Sequence, residues 1–244
     1  MIENGICGWI GLGAQSQQHQ LTSVRIQRAV ADRRAERYSL RPWGEAFAYG
    51  PGTDRWFVQD HEITVVIKGR PRWREGTPMP SGGASGDAAA VVESYKRHGR
   101  GFLSQMLGRF ALVLIDTSTP LVLVAVDRMG IERLCFARTD DTLIWGSNAE
   151  TVARIASEAQ RLDHQALFDY RYREVVPSPE TIFSGVEKRL PGDCASFDGR
   201  DLRREFYWRL HYQRRVAAPL PDLEARFRAL LKESVDRDAD RDDV

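Results

Sequence analysis

Two apolar runs in the middle of the sequence place the strongest limit on the fold. FALVLID at 110–116 and LVLVAVD at 121–127 are separated only by the polar segment TSTP. Runs of this length, rich in branched apolar residues, are typical of buried strands, and so short a connection joins neighbouring antiparallel strands. The sequence therefore predicts a buried antiparallel hairpin over these residues.

Further short strands are predicted on both sides of this hairpin, separated by Pro, Gly and Asp residues that favour turns. They are residues 6–11, 45–50, 54–60 and 63–69, a hairpin over 134–148 turned at Asp140-Asp141, and a hairpin over 194–208 turned at Asp198-Gly199. Many short antiparallel strands with helices between them define the fold class as α+β.

Helices are predicted between these strands from capping residues and apolar periodicity. The predicted helices are a surface helix over 21–36, a helix that Asp87 caps and Gly99 ends, a short helix over FLSQML (102–107), helices capped by Asn148 and Asp163, and a helix from Pro221. The last carries Leu223, Phe227, Leu230, Leu231 and Val235 on one face. Because an amphipathic helix needs a partner for its apolar face, we expect that the chain is cut there or that another chain covers the helix.

Composition excludes several classes of function. Lys and Arg total 35 against 34 Asp and Glu, which gives no bulk attraction for nucleic acid. No apolar run is long enough to cross a membrane, and the first residues, with the acidic Glu3, are not expected to act as a signal peptide. The three cysteines, Cys7, Cys135 and Cys194, lack metal-ligand spacing, so we expect no metal site and reduced thiols in a cytoplasmic protein.

The segments from 107 to 210 resemble one family. LGRFALVLID, DRMGIERLCFAR, LIWGSNAETVARI, LDHQALFDYRY, VPSPETIFSGVEKRLPGD and FYWRL follow the order of the asparagine synthetase family, and ICGWIG (6–11) resembles the start of its N-terminal class II glutamine amidotransferase domain. The resemblance implies a four-layer α/β/β/α sandwich of the N-terminal-nucleophile hydrolase type. It also implies that glutamine is hydrolysed and that ammonia passes to an acyl-adenylate made by a neighbouring domain.

The resemblance also suggests a division of the chain. Residues 1–175 are expected to form the glutaminase-like domain, 176–212 its end and a connecting segment, and 213–244 a linker and the first helix of a truncated synthetase domain. ATP and Mg are expected only in that missing domain, so this chain is expected to hold no cofactor. Expected partners are glutamine, if the chain is active, and a synthetase domain in cis or in trans; a homodimer is left open.

Cys7 matches the family's nucleophile, which is an N-terminal cysteine whose own α-amino group is the general base. The nitrogen of Cys7 is an amide as the sequence stands. Cys7 is therefore expected to be catalytic only if residues 1–6 are removed. The alternative is that Cys7 is a buried strand cysteine without a catalytic role.

The glutamine pocket implied by the resemblance departs from the family's pattern. Where the family has Asn-Gly-Glu, this chain has Lys68, Gly69 and Arg70. The Gly69 N–H is expected to help hold an oxyanion, whereas Arg70 replaces the carboxylate that receives the substrate ammonium. Two unit charges about 4 Å apart interact by roughly 4 kcal/mol at a surface-like dielectric, so this reversal weakens glutamine binding. Asp87 matches a second ammonium-binding residue.

The family's carboxylate-binding Arg stretch is not found, and residues 41–44 (RPWG) are a poor substitute for it. A different register, with the pocket elsewhere, remains an alternative. Two functions follow: an active glutaminase half of an asparagine synthetase-like enzyme, or a non-catalytic scaffold that docks on a synthetase domain through 176–244, as in lasso-peptide cyclases and β-lactam synthetases. The second is favoured.

Other polar residues are given structural roles. The five histidines are expected to face solvent, and Arg33, Arg34 and Arg37 to form a solvated helix face. Asp127 and Arg128 are expected to hold a turn through a charge-assisted pair.

Overall fold

The computed structural model describes residues 4–14, 16–53, 56–74, 86–157, 159–212 and 217–239. The chain forms two compact units, Met1–Arg209 and Leu210–Val244. The first unit contains all of the strands that the structure describes. The second contains one long helix.

Two six-stranded sheets form the centre of the first unit, and every strand pair in them is antiparallel. The strands are β1 (Gly5–Gly11), β2 (Ala35–Leu40), β3 (Trp43–Tyr49), β4 (Phe57–Asp60), β5 (Ile63–Trp73), β6 (Met106–Asp116), β7 (Leu121–Val126), β8 (Cys135–Thr139), β9 (Thr142–Gly146), β10 (Glu187–Lys188), β11 (Asp193–Phe197) and β12 (Leu202–Phe206). The first sheet has the order β10-β8-β9-β1-β3-β2 and the second β12-β11-β7-β6-β5-β4.

The described residues also form α-helices and one 3-10 helix. They are α1 (Gln17–Ala29), α2 (Gly86–His98), a 3-10 helix (Gly99–Gln105), α3 (Ala149–Ala156), α4 (His164–Arg173) and, in the second unit, α5 (Leu220–Ala239). α1 and α3 pack on the first sheet, and α2 packs on β4 and β5 of the second. The first unit is thus an α/β/β/α sandwich, as the family resemblance implies.

The predicted central hairpin, now β6 and β7, explains why its sequence is apolar throughout. Ala111 and Val113 of β6 lie in the core between the two sheets. Phe110 and Leu112 lie in the core between the second sheet and α2. Because both faces of the strand are covered, the residues that point to either face are apolar. The sequence of the strand therefore shows no alternation of polar and apolar residues.

Several predicted elements are confirmed. The hairpins at Asp140-Asp141 and Asp198-Gly199 are present. Asn148 and Asp163 accept backbone hydrogen bonds as the N-caps of α3 and α4. α2 ends before Gly99, whose φ of +54° favours glycine. The helix predicted from Pro221 begins at Leu220, and within its unit Phe227, Leu230, Leu231 and Val235 are exposed.

Other predictions are corrected. The helix predicted over 21–36 spans Gln17–Ala29, because a capping box between Ser16 and His19 begins it earlier, and residues 35–40 form the edge strand β2 instead. Asp87 does not cap α2 but lies inside its first turn, where a carboxylate favours the helix N-terminus. The helix predicted over FLSQML is the end of the 3-10 helix followed by β6.

Among the described residues, no helix combines the length and apolarity that a membrane crossing requires. The same residues contain no cluster of side chains suited to a metal ion.

Candidate functional site

Cys7 lies in the middle of β1, in the interior of the first sheet. It faces Phe47 of β3 on one side and Gly146 of β9 on the other, and it has no exposed surface. Burial raises the pKa of its thiol to about 12, and the positive charge of Arg33 offsets part of this effect. A thiol held protonated in this way is a weak nucleophile at neutral pH.

The residues before Cys7 are part of the sheet. Gly5 and Ile6 pair with Tyr49 and Ala48 of β3. The Ile6 N–H donates to the Ser147 hydroxyl at 3.1 Å, and the Ser147 N–H donates to the Ile6 carbonyl at 2.8 Å. A free amine on Cys7 would therefore require the loss of two paired strand residues.

Arg33 is the charged residue that the structure places beside Cys7. It lies between α1 and β2, and its guanidinium donates to the Tyr49 hydroxyl at 2.8 Å and to the Thr151 hydroxyl at 3.4 Å. The same group lies 4.6 Å from the centre of the Tyr49 ring. The prediction that Arg33 belongs to a solvated helix face is wrong, because α1 ends at Ala29 and the half-buried Arg33 lies in the connection between α1 and β2.

Lys68, Gly69 and Arg70 lie in β5 of the second sheet, where the strand passes from the core to the surface. The Lys68 ammonium lies 2.7 Å from a carboxylate oxygen of Glu132, and both side chains are nearly buried. Arg70 is exposed and pairs in register with Arg109 of β6. The Glu132 carboxylate thus pairs with Lys68, and no motif in the sequence predicts this pair.

Gly69 is required by the close approach of β5 to β6. Its φ is +114°, and a Cβ at this position would come within 2.5 Å of the Arg109 carbonyl oxygen. Only glycine fits this conformation without strain. The glycine of the family's pattern is therefore also demanded by the packing of this chain.

Asp127 fixes the turn that presents Glu132. Its carboxylate accepts backbone N–H bonds from Phe110, Met129, Ile131 and Glu132 at 2.9–3.3 Å. Arg128 instead donates to the Ser104 carbonyl. The predicted Asp127–Arg128 pair is therefore replaced by a set of backbone hydrogen bonds to one buried carboxylate.

The predicted site residues fall into two groups. Asp87 lies in the first turn of α2, which packs on β5, and it has an interaction of its own within the chain. Lys68, Gly69 and Arg70 lie in β5 itself, so these four residues belong to the second sheet and the helix that packs on it. Cys7 lies in the other sheet, and its side chain belongs to the cluster beneath α1 and α3.

His19 lines a separate cleft of about 390 Å³, together with Trp9, Trp43 and Glu45. Its imidazole is 2 % exposed, and its Nδ1 accepts from the Ser16 N–H at 3.3 Å. The prediction that His19 faces solvent is wrong, because this capping contact turns the ring beneath α1. The Glu45 carboxylate in the cleft is already held by Trp9, Ser23 and Arg37.

Comparisons with known proteins agree on one domain type. A model of the glutamine amidotransferase domain matches residues 81–208, more than half of the chain. A Mycobacterium tuberculosis protein named among the glutamine-hydrolysing asparagine synthetases is 29 % identical over 55 % of this chain and 21 % of its own. Asparagine synthetase 2 (glutamine-hydrolysing) of Lotus japonicus is 25 % identical over 76 % of this chain and 32 % of its own. The amidase chyE of Penicillium rubens is 27 % identical over 66 % and 24 %.

Among solved structures, glutamine phosphoribosylpyrophosphate amidotransferase from B. subtilis has the same fold. It superposes with a TM-score of 0.50 at 12 % identity and covers 84 % of this chain and 49 % of its own. The chain spans a fifth to a third of the length of these curated relatives.

Proposed function

Since this chain belongs to the glutamine amidotransferase domain family and is related to asparagine synthetases, we propose that it is the glutaminase-like domain of an ATP-dependent amidotransferase and is degenerate in glutamine hydrolysis. In this proposal the domain serves as a scaffold for a synthetase domain. That domain, in cis or in trans, would bind ATP and Mg.

The observation that carries the proposal is the state of Cys7. A nucleophile of this class needs a free amine and access to substrate. Cys7 has a peptide nitrogen, paired residues in front of it, no exposed surface and a thiol pKa of about 12. At pH 7 only about one thiol in 10⁵ would be ionised at such a pKa.

The charge at the β5 strand end supports the same proposal. Arg70 stands where the resemblance expects a carboxylate, and the Lys68 ammonium already pairs with Glu132. The α-ammonium of glutamine would meet Arg70 as a like charge and would compete with Lys68 for Glu132. Both effects disfavour a free amino acid at this position.

An active glutaminase is the second candidate, and Arg33 favours it. Its guanidinium lies beside Cys7, and its charge lowers the thiol pKa. A guanidinium is also the usual partner of a carboxylate. If residues 1–6 were removed, the Arg33 guanidinium would be placed to bind the glutamine carboxylate near the free α-amino group of Cys7.

Glutamate release from glutamine separates the two candidates. The assay compares the full chain, a chain cut before Cys7 at an inserted protease site, and the cut Cys7→Ala variant. We expect no release from any of them above background. Release from the cut chain that Cys7→Ala abolishes would overturn the degenerate assignment, and circular dichroism of the cut chain reports whether it remains folded.

The scaffold role is tested by mixing the chain with the synthetase domain that it is proposed to support. We expect a complex on size exclusion and a change in amide-forming activity. Phe227→Asp on α5 should weaken the complex, whereas Arg226→Gln, one residue earlier on the same helix, should not. A chain that stays separate and leaves the activity unchanged would exclude the scaffold role.

A further inference from the structure

Helix α4 makes little contact with the rest of its unit. Of its ten residues, only Ala166 is buried. Phe168 and Tyr172 stack on each other at the surface, with their ring centres 6.5 Å apart. The large apolar side chains on α4 and at its two ends are between 38 % and 80 % exposed: Leu162, Leu167, Phe168, Tyr170, Tyr172 and Val175. We call these six side chains the α4 surface.

A helix of this length and composition needs a partner for its stability. Isolated helices shorter than about 12–15 residues are marginal in water, and most of the stability of a helix in a protein comes from packing. The caps of α4, Asp163 and Glu174, satisfy backbone groups at its two ends only. Helices that carry large apolar side chains around most of their circumference are normally buried. The exposed α4 surface therefore indicates an interface.

The shape of the α4 surface favours a groove over a flat contact. Successive residues of a helix are about 100° apart, so the side chains from Tyr170 to Tyr172 span an arc of about 200°. Phe168 lies within this arc, on the side of the helix away from the buried Ala166. A flat contact with α4 of a second copy would cover about half of the arc.

The area of such a flat contact is too small for a stable dimer. Aromatic side chains bury about 150–250 Å² each, so the two of them on one side of the arc would bury roughly 300–500 Å². A stable interface needs about 800 Å² from each partner. A groove that encloses the helix can cover the whole arc, which brings the buried area closer to that value.

The α4 surface is also continuous with the segment 176–212, through which the scaffold is expected to dock. The Asp163 N–H donates to the Ile182 carbonyl at 2.9 Å, and Leu162 forms a β-bridge with Phe183. The curated relatives have two thirds or more of their length outside the part that matches this chain. A further domain of that size is large enough to contain the groove.

We propose that α4 inserts into an apolar groove of the synthetase domain, with Phe168 and Tyr172 as its main anchors. This inference rests on the proposed scaffold function and names a surface for it outside residues 176–244. Helices commonly bind in such grooves through apolar residues spaced three or four apart. Arg171 is exposed and lies between Leu167 and Phe168 on the arc, so the groove should carry a carboxylate among its apolar side chains.

Binding of the full chain to the synthetase domain tests the proposal. Phe168→Gln should weaken the complex about 30-fold and Tyr172→Gln about tenfold, because each removes an apolar side chain that binding buries. Leu21→Gln is the matched control, since it removes an exposed leucine from α1, and it should change the affinity less than twofold. Hydrogen exchange of the α4 amides should be fast in the free chain and at least tenfold slower in the complex.

The outcomes separate this surface from the scaffold function itself. A complex that Phe227→Asp weakens and Phe168→Gln does not, with no protection of α4, would overturn the α4 groove and leave the scaffold function intact. Absence of any complex would overturn both. Self-association of the wild-type chain that Phe168→Gln abolishes, measured by sedimentation, would assign the surface to a second copy and overturn the groove. Melting curves confirm that each variant is folded, which we expect because the substituted side chains are exposed.

Discussion

Two parts of the first unit carry the residues of the proposed amidotransferase site, and they differ in how the chain holds them. Around Cys7 the contacts are apolar and aromatic, and the charged Arg33 nearby donates to the hydroxyls of Tyr49 and Thr151. At the β5 strand end the contacts are ionic and partly exposed. Packing alone is therefore enough to favour a cysteine at position 7, whereas charges at a strand end can change with little cost to the core.

The largest expected effect concerns the Asp127 carboxylate, which holds the turn that carries Glu132 to the end of β5. Asp127→Ala removes the acceptor of four backbone N–H groups, and Asp127 is 1 % exposed. Leaving such donors unpaired should lower the free energy of unfolding by about 3 kcal/mol or more in urea titrations. Asn148→Ala, which removes the α3 cap near Cys7, should cost only about 1 kcal/mol.

If Asp127→Ala cost less than Asn148→Ala, the turn would be held by other contacts and Glu132 would not depend on Asp127. The β5 strand end and the region around Cys7 would then no longer differ in their dependence on one buried carboxylate.

The next effect concerns the Lys68–Glu132 pair, whose side chains are 13 % and 11 % exposed. Lys68→Met leaves the carboxylate nearly buried without its partner and should lower the free energy of unfolding by about 2 kcal/mol. Lys68→Met combined with Glu132→Gln should recover most of that loss, because no uncompensated charge remains. A double-mutant cycle in urea measures the coupling, and a value near zero would show that the pair has no energetic role.

The fold was predictable where the sequence alone determines the packing. The hairpin of β6 and β7 is apolar on both faces, so burial is its only stable arrangement. The edge strand β2 (AERYSL) could not be predicted because its own sequence is largely polar. It is a strand because it pairs with β3. The close contact of Lys68 with Glu132, 64 residues apart, depends on tertiary structure and leaves no local pattern.

The fall of the free energy of unfolding at alkaline pH tests whether the Cys7 thiol stays protonated in the folded chain. Its thiol pKa is raised from 9.0 to about 12, so between these values the unfolded chain ionises Cys7 and the folded chain does not. The free energy of unfolding should then fall by up to about 1.4 kcal/mol per pH unit for this thiol. Cys7→Ala should make the fall shallower by that amount.

Cys135 and Cys194, whose pKa values are raised by burial to about 11 and about 12, contribute in the same way to both proteins and cancel in the comparison. Parallel pH curves for wild type and Cys7→Ala would mean that Cys7 ionises as readily in the fold as outside it. The buried-cysteine interpretation would then be wrong.

The smallest effect concerns the two arginines that pair at the β5 strand end. Arg109→Gln removes one of two like charges directly opposite each other and should raise the free energy of unfolding at low salt by about 0.5 kcal/mol, whereas Arg203→Gln, at an exposed position on β12, should leave it unchanged. The gain should vanish at about 1 M salt, where screening acts within about 3 Å. A gain that persists at 1 M salt would have a cause other than charge. No gain at low salt would mean that the interaction that Arg70 makes within the chain already relieves the repulsion, and the strand end would then be as self-contained as the region around Cys7.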